Sequence, residues 1–302
     1  MLMNKNYLIT GGIVLLIVIA VFFFRSTDST ISPNEENALT PASSFSHSHG
    51  IAVDANDPNK LYIATHEGLY LLEEDTDLYR IGRSRDDLMG FSSHPTDSNT
   101  FFSSGHPVRG GNIGFQKTTD GGVTWERVST GLGGPVDFHS MTVSAVNPNI
   151  IYGFFNGKLQ RSIDGGKSWE YASGIISPLS LSTDYAEENT VYAATRDGVQ
   201  VSKNQGDDWS SLSTELDGAA VSVFVKSPQD DGYALVFSER LSGLGKSSDD
   251  GISWTKVSED FGGETIFYLA FAKSDSNIVY ALTDKNSVYK SDNKGETWNK
   301  IR

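Results

Sequence analysis

Five tryptophans close five copies of one short frame: TTDGGVTW at Trp125, SIDGGKSW at Trp169, SKNQGDDW at Trp209, SSDDGISW at Trp254 and SDNKGETW at Trp298. They follow one another at 44, 40, 45 and 44 residues. A period of this length marks a repeat architecture in which no unit buries its apolar surface alone. Between boxes the same elements recur: an alternating apolar run, a turn like DPN or NPN, a second run ending near a tyrosine, a third short strand, the box and a fourth short strand. VDANDPNKLYIATHEGLYL, VSAVNPNIIYGFFNGKLQRS and FAKSDSNIVYALTDKNSVYKS show it directly. Four short antiparallel strands per unit are the pattern of a β-propeller blade. With Tyr79 as the degenerate tryptophan position of the first unit, six units lie between residue 45 and Arg302. The expected fold is all-β, a six-bladed β-propeller of four-stranded blades over residues 45–302. The repeats are whole, so closure is expected from contact between the first and sixth blades alone.

Ahead of the repeats, residues 7–24, YLITGGIVLLIVIAVFFF, carry no charge. As a helix they reach about 27 Å, close to the hydrocarbon thickness of a bilayer. The run ends in Phe22, Phe23, Phe24 and Arg25 without the small-residue pattern of a signal-peptide cleavage site. The expectation is one N-terminal transmembrane helix, an uncleaved anchor, with residues 1–6 as a short cytoplasmic N-terminus. Residues 25–44, rich in Ser, Thr, Asn and Pro, read as a flexible linker. This makes a single-pass protein of the cell membrane with its propeller on the extracytoplasmic side. The chain has no cysteine, so it has no disulfide framework and no thiol to carry a lipid. A net charge of −14 without a basic block argues against nucleic acid as a partner.

The frame S/T-x-D-x-G-x-T/S-W resembles the Asp-box, or BNR repeat. That repeat occurs in sialidases, sortilin-type receptor domains, some xyloglucan-degrading enzymes and the photosystem II assembly-factor propellers. The resemblance covers essentially the whole propeller segment and is greatest to small membrane-anchored bacterial propellers filed as glycosyl hydrolases. The boxes at Asp120, Asp164 and Asp249 match fully, whereas Asn204 and Asn293 replace the aspartate in the other two. The resemblance implies a structural box, on the turn between third and fourth strands and away from the binding face. The chemistry agrees: a hydroxyl and a carboxylate can accept backbone N–H bonds within a tight turn whose glycine takes a positive φ. The tryptophan then packs beneath its own blade. Tyr79-Arg80-Ile81-Gly82 lacks the proline of the sialidase F/Y-R-I-P motif, and the register puts it on an outer strand. A typical sialidase is not expected.

Aligning units on the second-strand aromatic (Tyr62, Phe102, Tyr152, Tyr192, Tyr233, Tyr280) places His49, Met89, His139, Leu179, Ala220 and Phe267 at the start of the innermost strand. His66, His106, Asn156, Arg196, Phe237 and Asp284 fall on the turn between second and third strands. Because strands alternate direction, both positions share the face opposite the boxes. His47, His49, His66, His106 and His139 are therefore expected to converge there, with only His94 pointing away. Arg83, Arg85, Arg109 and Arg196 join them as ligand-binding candidates.

On that face His47, His49 and His139 form a candidate three-nitrogen set for a divalent metal. Glycoside hydrolysis would draw its two carboxylates from Asp86, Asp87, Glu67, Asp137 and Glu239. Two functions remain in view. The leading expectation is recognition of a protein segment or cell-surface glycan at the histidine-bearing face; the alternative is glycoside hydrolysis of the Asp-box propeller type.

Overall fold

The computed structural model describes residues 38–229 and 231–302. The expected anchor at 7–24 lies outside them, and no helix among the described residues is long and apolar enough to cross a membrane. The described residues form six antiparallel sheets, each from one continuous stretch of repeats. Blade 1 runs through Ser48–Val53, Lys60–Thr65, Gly68–Glu73 and Asp77–Ile81, and blade 2 through Asp87–Ser93, Phe101–His106, Phe115–Thr118 and Glu126–Ser129. Blades 3 to 6 open with inner strands Ser140–Val143, Ser180–Thr183, Val221–Lys226 and Ile266–Phe271. All six inner strands line a central channel of about 380 Å³.

The boxes form the turns ahead of the outer strands. In blade 3, Ser162 Oγ accepts from the N–H groups of Asp164 (3.3 Å) and Gly166 (2.8 Å) and donates to Asp164 Oδ1 at 2.8 Å. Asp164 accepts from the backbone N–H of Ser168 at 2.9 Å and from its hydroxyl at 2.6 Å. These bonds, led by the Ser168 hydroxyl, hold its carboxyl down to about 2. Where asparagine replaces aspartate the polarity of the last bond reverses: Asn204 Nδ2 donates to Asp208 at 2.8 Å and Asn293 Nδ2 to Thr297 at 2.9 Å. The same turn thus closes with an amide donor where the fourth residue on can accept.

Each box also joins its blade to the preceding one. A Cβ at Gly166 would stand 1.9 Å from the Phe115 ring of blade 2, and one at Gly122 would stand 2.4 Å from Leu69 of blade 1. Trp169 packs in the same joint, its ring centroid 5.2 Å from Phe115 and 5.1 Å from Phe138, and its Nε1 donates to Ser129 at 2.9 Å. The tryptophan therefore reaches into the blade boundary instead of lying beneath its own sheet as expected.

Two expectations about the chain's ends are corrected. Leu39–Pro41, assigned to the flexible linker at 25–44, pairs antiparallel with Asp77–Ile81 as a fifth, outermost strand of blade 1. Its pairing occupies an edge that would otherwise be open. Closure then draws on this segment as well as on blades 1 and 6, because Arg302 Nη2 donates to the Ser43 carbonyl. The rest of the closure is apolar packing of Leu61, Ile63 and Leu72 against Tyr280, Leu282 and Val288. Tyr280 Oη donates to the Pro58 carbonyl at 3.0 Å, and Lys290 bridges to Asn59 and Asp75.

Gly165 and Gly166 share a positive φ, of 74° and 84°, but only Gly166 faces a ring. Gly165→Ala is expected to cost about 1 kcal/mol, from backbone conformation alone. Gly166→Ala adds an overpacking cost and should reach about 3 kcal/mol. Urea unfolding of the two variants checks this, and equal losses would remove the joint from the account.

Candidate functional site

The alignment that places the histidines contains a further position. Fifteen residues before each second-strand aromatic stand His47, Asp87, Asp137, Ser177, Gly218 and Thr265. In blades 2 and 3 this position meets the turn between second and third strands of the preceding blade. His66 Nδ1 of blade 1 lies 2.6 Å from Asp87 Oδ2, and His106 Nε2 of blade 2 lies 2.9 Å from Asp137 Oδ2. The two pairs are repeat-equivalent and each crosses a blade boundary.

Local backbone geometry aims the remaining imidazoles. His49 sits where the pairing of the first two strands slips between Ser48 and Gly50, a bulge that turns its side chain toward the channel mouth. There His49 Nε2 is 3.3 Å from His66 Nδ1 and 3.2 Å from Asp87 Oδ1. The His66 N–H donates to the His47 carbonyl at 3.1 Å, which brings the His47 ring onto His66 with centroids 5.3 Å apart. In blade 2, Asp87 and His106 are direct strand partners. Gly105 beside them, at φ 124°, must be glycine, since a Cβ would stand 2.0 Å from the Asp87 carbonyl oxygen. Ser104 Oγ accepts from the Phe138 N–H at 2.7 Å and so fixes the loop that carries Asp137 and His139.

Two clusters result: His47, His49, His66 with Asp87, and His106, His139 with Asp137. The expected set of His47, His49 and His139 is thereby corrected. His139 Nε2 is bound to Asp137 at 3.0 Å, and the imidazole grouped with His47 and His49 is His66, all ligand atoms of the three lying within 4.8 Å. The reason is the blade boundary: His66 turns toward Asp87 beside the bulged His49, whereas His139 opens blade 3. Burial pushes the His49 imidazole down to about 3, with repulsion from the His66, His47, His139 and His106 imidazoles adding to it. His49 is therefore neutral at pH 7. The Asp137 side chain is 7% exposed, and its Oδ1, like Oδ1 of Asp87, has no hydrogen-bond partner.

The clusters stand between two concave surfaces. An open cleft of about 730 Å³ is lined by His66, Glu67, Arg85, Asp87, His106, Pro107, Val108 and Gly110. The channel mouth carries His49, His139, Leu179 and Phe267, the last two exposed apolar side chains. Other candidates fall outside both surfaces. Arg83, Arg109, Arg196 and Glu239 are exposed and line neither. Asp86 caps its own loop, accepting from Ser84 Oγ at 2.9 Å and from the Val108 N–H at 3.3 Å. His94 accepts from the N–H groups of Thr96 and Asp97 in the turn after its strand.

The far end of the channel carries residues not singled out from the sequence. Seven residues before the aligned aromatics, Pro95, Ala145, Tyr185, Lys226 and Lys273 all line it, and that recurrence was the available signal. Burial pushes Lys273 down to about 8.

No family model matches the chain. A xyloglucanase of a Paenibacillus species is 23% identical over 193 residues, 61% of this chain and 19% of that protein. The GH74 xyloglucanase from Xanthomonas campestris is similar in structure, with a TM-score of 0.62 and 16% identity, over 87% of this chain and 46% of that one. YCF48 bound to D1 peptide gives a TM-score of 0.54 and 16% identity, over 87% of this chain and 84% of that one. The chain spans less than half of each xyloglucanase and most of the YCF48 chain. At these identities the structural likenesses establish the propeller fold.

The depressed His49 imidazole makes stability depend on pH. Above about 6.5 it is neutral in both folded and unfolded chains and its contribution is whole; as pH falls from 6.5 toward 3 only the unfolded chain takes up the proton, and stability is lost. Between pH 7 and pH 5 the unmodified chain should lose more stability than His49→Gln. Urea midpoints at the two pH values measure it.

Proposed function

We propose that the chain is a carbohydrate-active propeller of the Asp-box kind, a glycoside hydrolase working on the face that carries the two histidine and aspartate clusters. The xyloglucanase likenesses support this reading over simple binding. The observation that carries it is Asp137, a buried carboxylate with one oxygen shared between His106 and His139 and the other unpartnered, whose partner His106 lines a cleft of about 730 Å³. Hydrolysis needs a second carboxylate. Glu67, exposed on the cleft wall, is assigned that part, and Arg85 and the imidazoles contact the sugar. Asp87 is already enclosed by imidazoles. The proposal includes residues 7–24 as the membrane anchor that presents this face on the extracytoplasmic side.

A second reading has its own support. The chain matches most of the YCF48 chain, which is bound to a peptide, and Leu179 and Phe267 expose apolar surface at the channel mouth. Recognition of a protein segment there would use the same face without turnover.

The full-length chain in detergent, incubated with xyloglucan and other β-glucans, should release reducing ends. Asp137→Asn and Glu67→Gln should each lower kcat by about 10²- to 10⁴-fold, Glu67→Gln with an unchanged unfolding midpoint. Retention of a glycan or peptide without any release would favour the second reading, and loss of turnover on Asp87→Asn but not Glu67→Gln would move the second carboxylate to Asp87.

A further inference from the structure

We propose that His47, His49, His66 and Asp87 hold one divalent transition-metal ion at the boundary between blades 1 and 2. This goes beyond the hydrolase reading and does not depend on it. The three imidazoles offer ligand atoms within 4.8 Å of one another. Two ligands on a tetrahedral ion with bonds near 2.0–2.1 Å lie about 3.4 Å apart. His49 Nε2 and His66 Nδ1 are 3.3 Å apart, and His49 Nε2 and Asp87 Oδ1 are 3.2 Å apart. A third edge, His66 Nδ1 to Asp87 Oδ2, is 2.6 Å and must open by less than 1 Å. The His66 side chain is 49% exposed and free to turn by that amount.

Proton arithmetic favours a cation over a hydrogen-bonded cluster. His49 Nε2, His66 Nδ1 and the Asp87 carboxylate all face one another, and a neutral imidazole nitrogen either carries one proton or offers one lone pair. If His66 Nδ1 donates to Asp87, a bare His49 Nε2 turns its lone pair on Asp87 Oδ1. If instead His49 Nε2 carries the proton, two N–H groups confront each other at 3.3 Å. Neither tautomer satisfies all three contacts, and Asp87 Oδ1 is buried without an aligned partner. A cation among them accepts every lone pair at once. Three imidazoles with one carboxylate suit zinc, nickel or copper and not calcium or magnesium, which take oxygen ligands. The strand partner of Asp87, His106, is occupied by Asp137 and stays outside the set.

The tag-free full-length chain in detergent, stripped with EDTA, is titrated with zinc chloride by calorimetry and with cobalt(II) by visible absorption. One equivalent of zinc should bind, and cobalt should give the intense d–d bands of a four-coordinate site in the unmodified chain. His66→Ala and the exposed His47→Ala should each weaken binding by more than the ~10- to 100-fold that loss of an outer partner costs. His139→Ala should leave it unchanged. Absence of saturable uptake at one equivalent, unchanged affinity in His66→Ala, or an equal loss in His139→Ala would overturn the site.

Discussion

The contact of each box turn with the preceding blade is the joint on which the ring depends. A four-stranded sheet with two apolar faces cannot stand alone in water, and its neighbours can cover those faces only at a constant angle. The box supplies that angle by bringing a glycine backbone against a large side chain, Gly166 on Phe115 and Gly122 on Leu69, too near for any Cβ. The tryptophan fills the remaining wedge and the hydroxyl and carboxylate hold the turn in shape. What recurs from box to box is thus a set of steric and hydrogen-bonding requirements, which is why an asparagine serves where its neighbour four residues on can accept a bond.

A closed ring turns equivalent sequence positions into neighbours in space. Six starts of inner strands become one channel mouth, and six turns between second and third strands become the surrounding rim. In blades 1 to 3 the position fifteen residues before the second-strand aromatic holds His47, Asp87 and Asp137 and the turn holds His66, His106 and Asn156; in blades 4 to 6 the two hold Ser177, Gly218 and Thr265 with Arg196, Phe237 and Asp284. Chemistry is therefore concentrated on one half of a symmetric scaffold, and the apolar Leu179 and Phe267 occupy the other side of the mouth.

Much of this was legible because period and alternation are one-dimensional. The tryptophan frame, the aligned aromatics and the strand alternation suffice for six blades and for the face on which His47, His49, His66, His106 and His139 lie. Which imidazole meets which carboxylate is a different kind of fact. It depends on the bulge at His49 and on contacts across blade boundaries, so the repeat register alone groups His139 with His47 and His49, and only the folded chain puts His66 beside them. Leu39–Pro41 is hidden in the sequence for a related reason: three exposed residues with no alternation carry no strand signal, and only the outer edge of blade 1 makes them one.

The site and the scaffold are not independent. A buried carboxylate is costly unless paired, and removing its partner leaves an uncompensated charge. Asp137 meets that requirement through His106 of blade 2, so the bond that positions its carboxylate also ties blade 2 to blade 3; His66 and Asp87 do the same between blades 1 and 2. The two boundaries that carry the candidate chemistry are thus pinned at both ends, by a box joint on one face and by an imidazole and a carboxylate on the other. This double fixing holds the backbones that carry the ligand atoms at constant spacing across the blade boundaries, the condition for preorganised binding of an ion or a sugar. It also means that loss of function in a variant of Asp87 or Asp137 reports on chemistry only when blade packing is shown to survive.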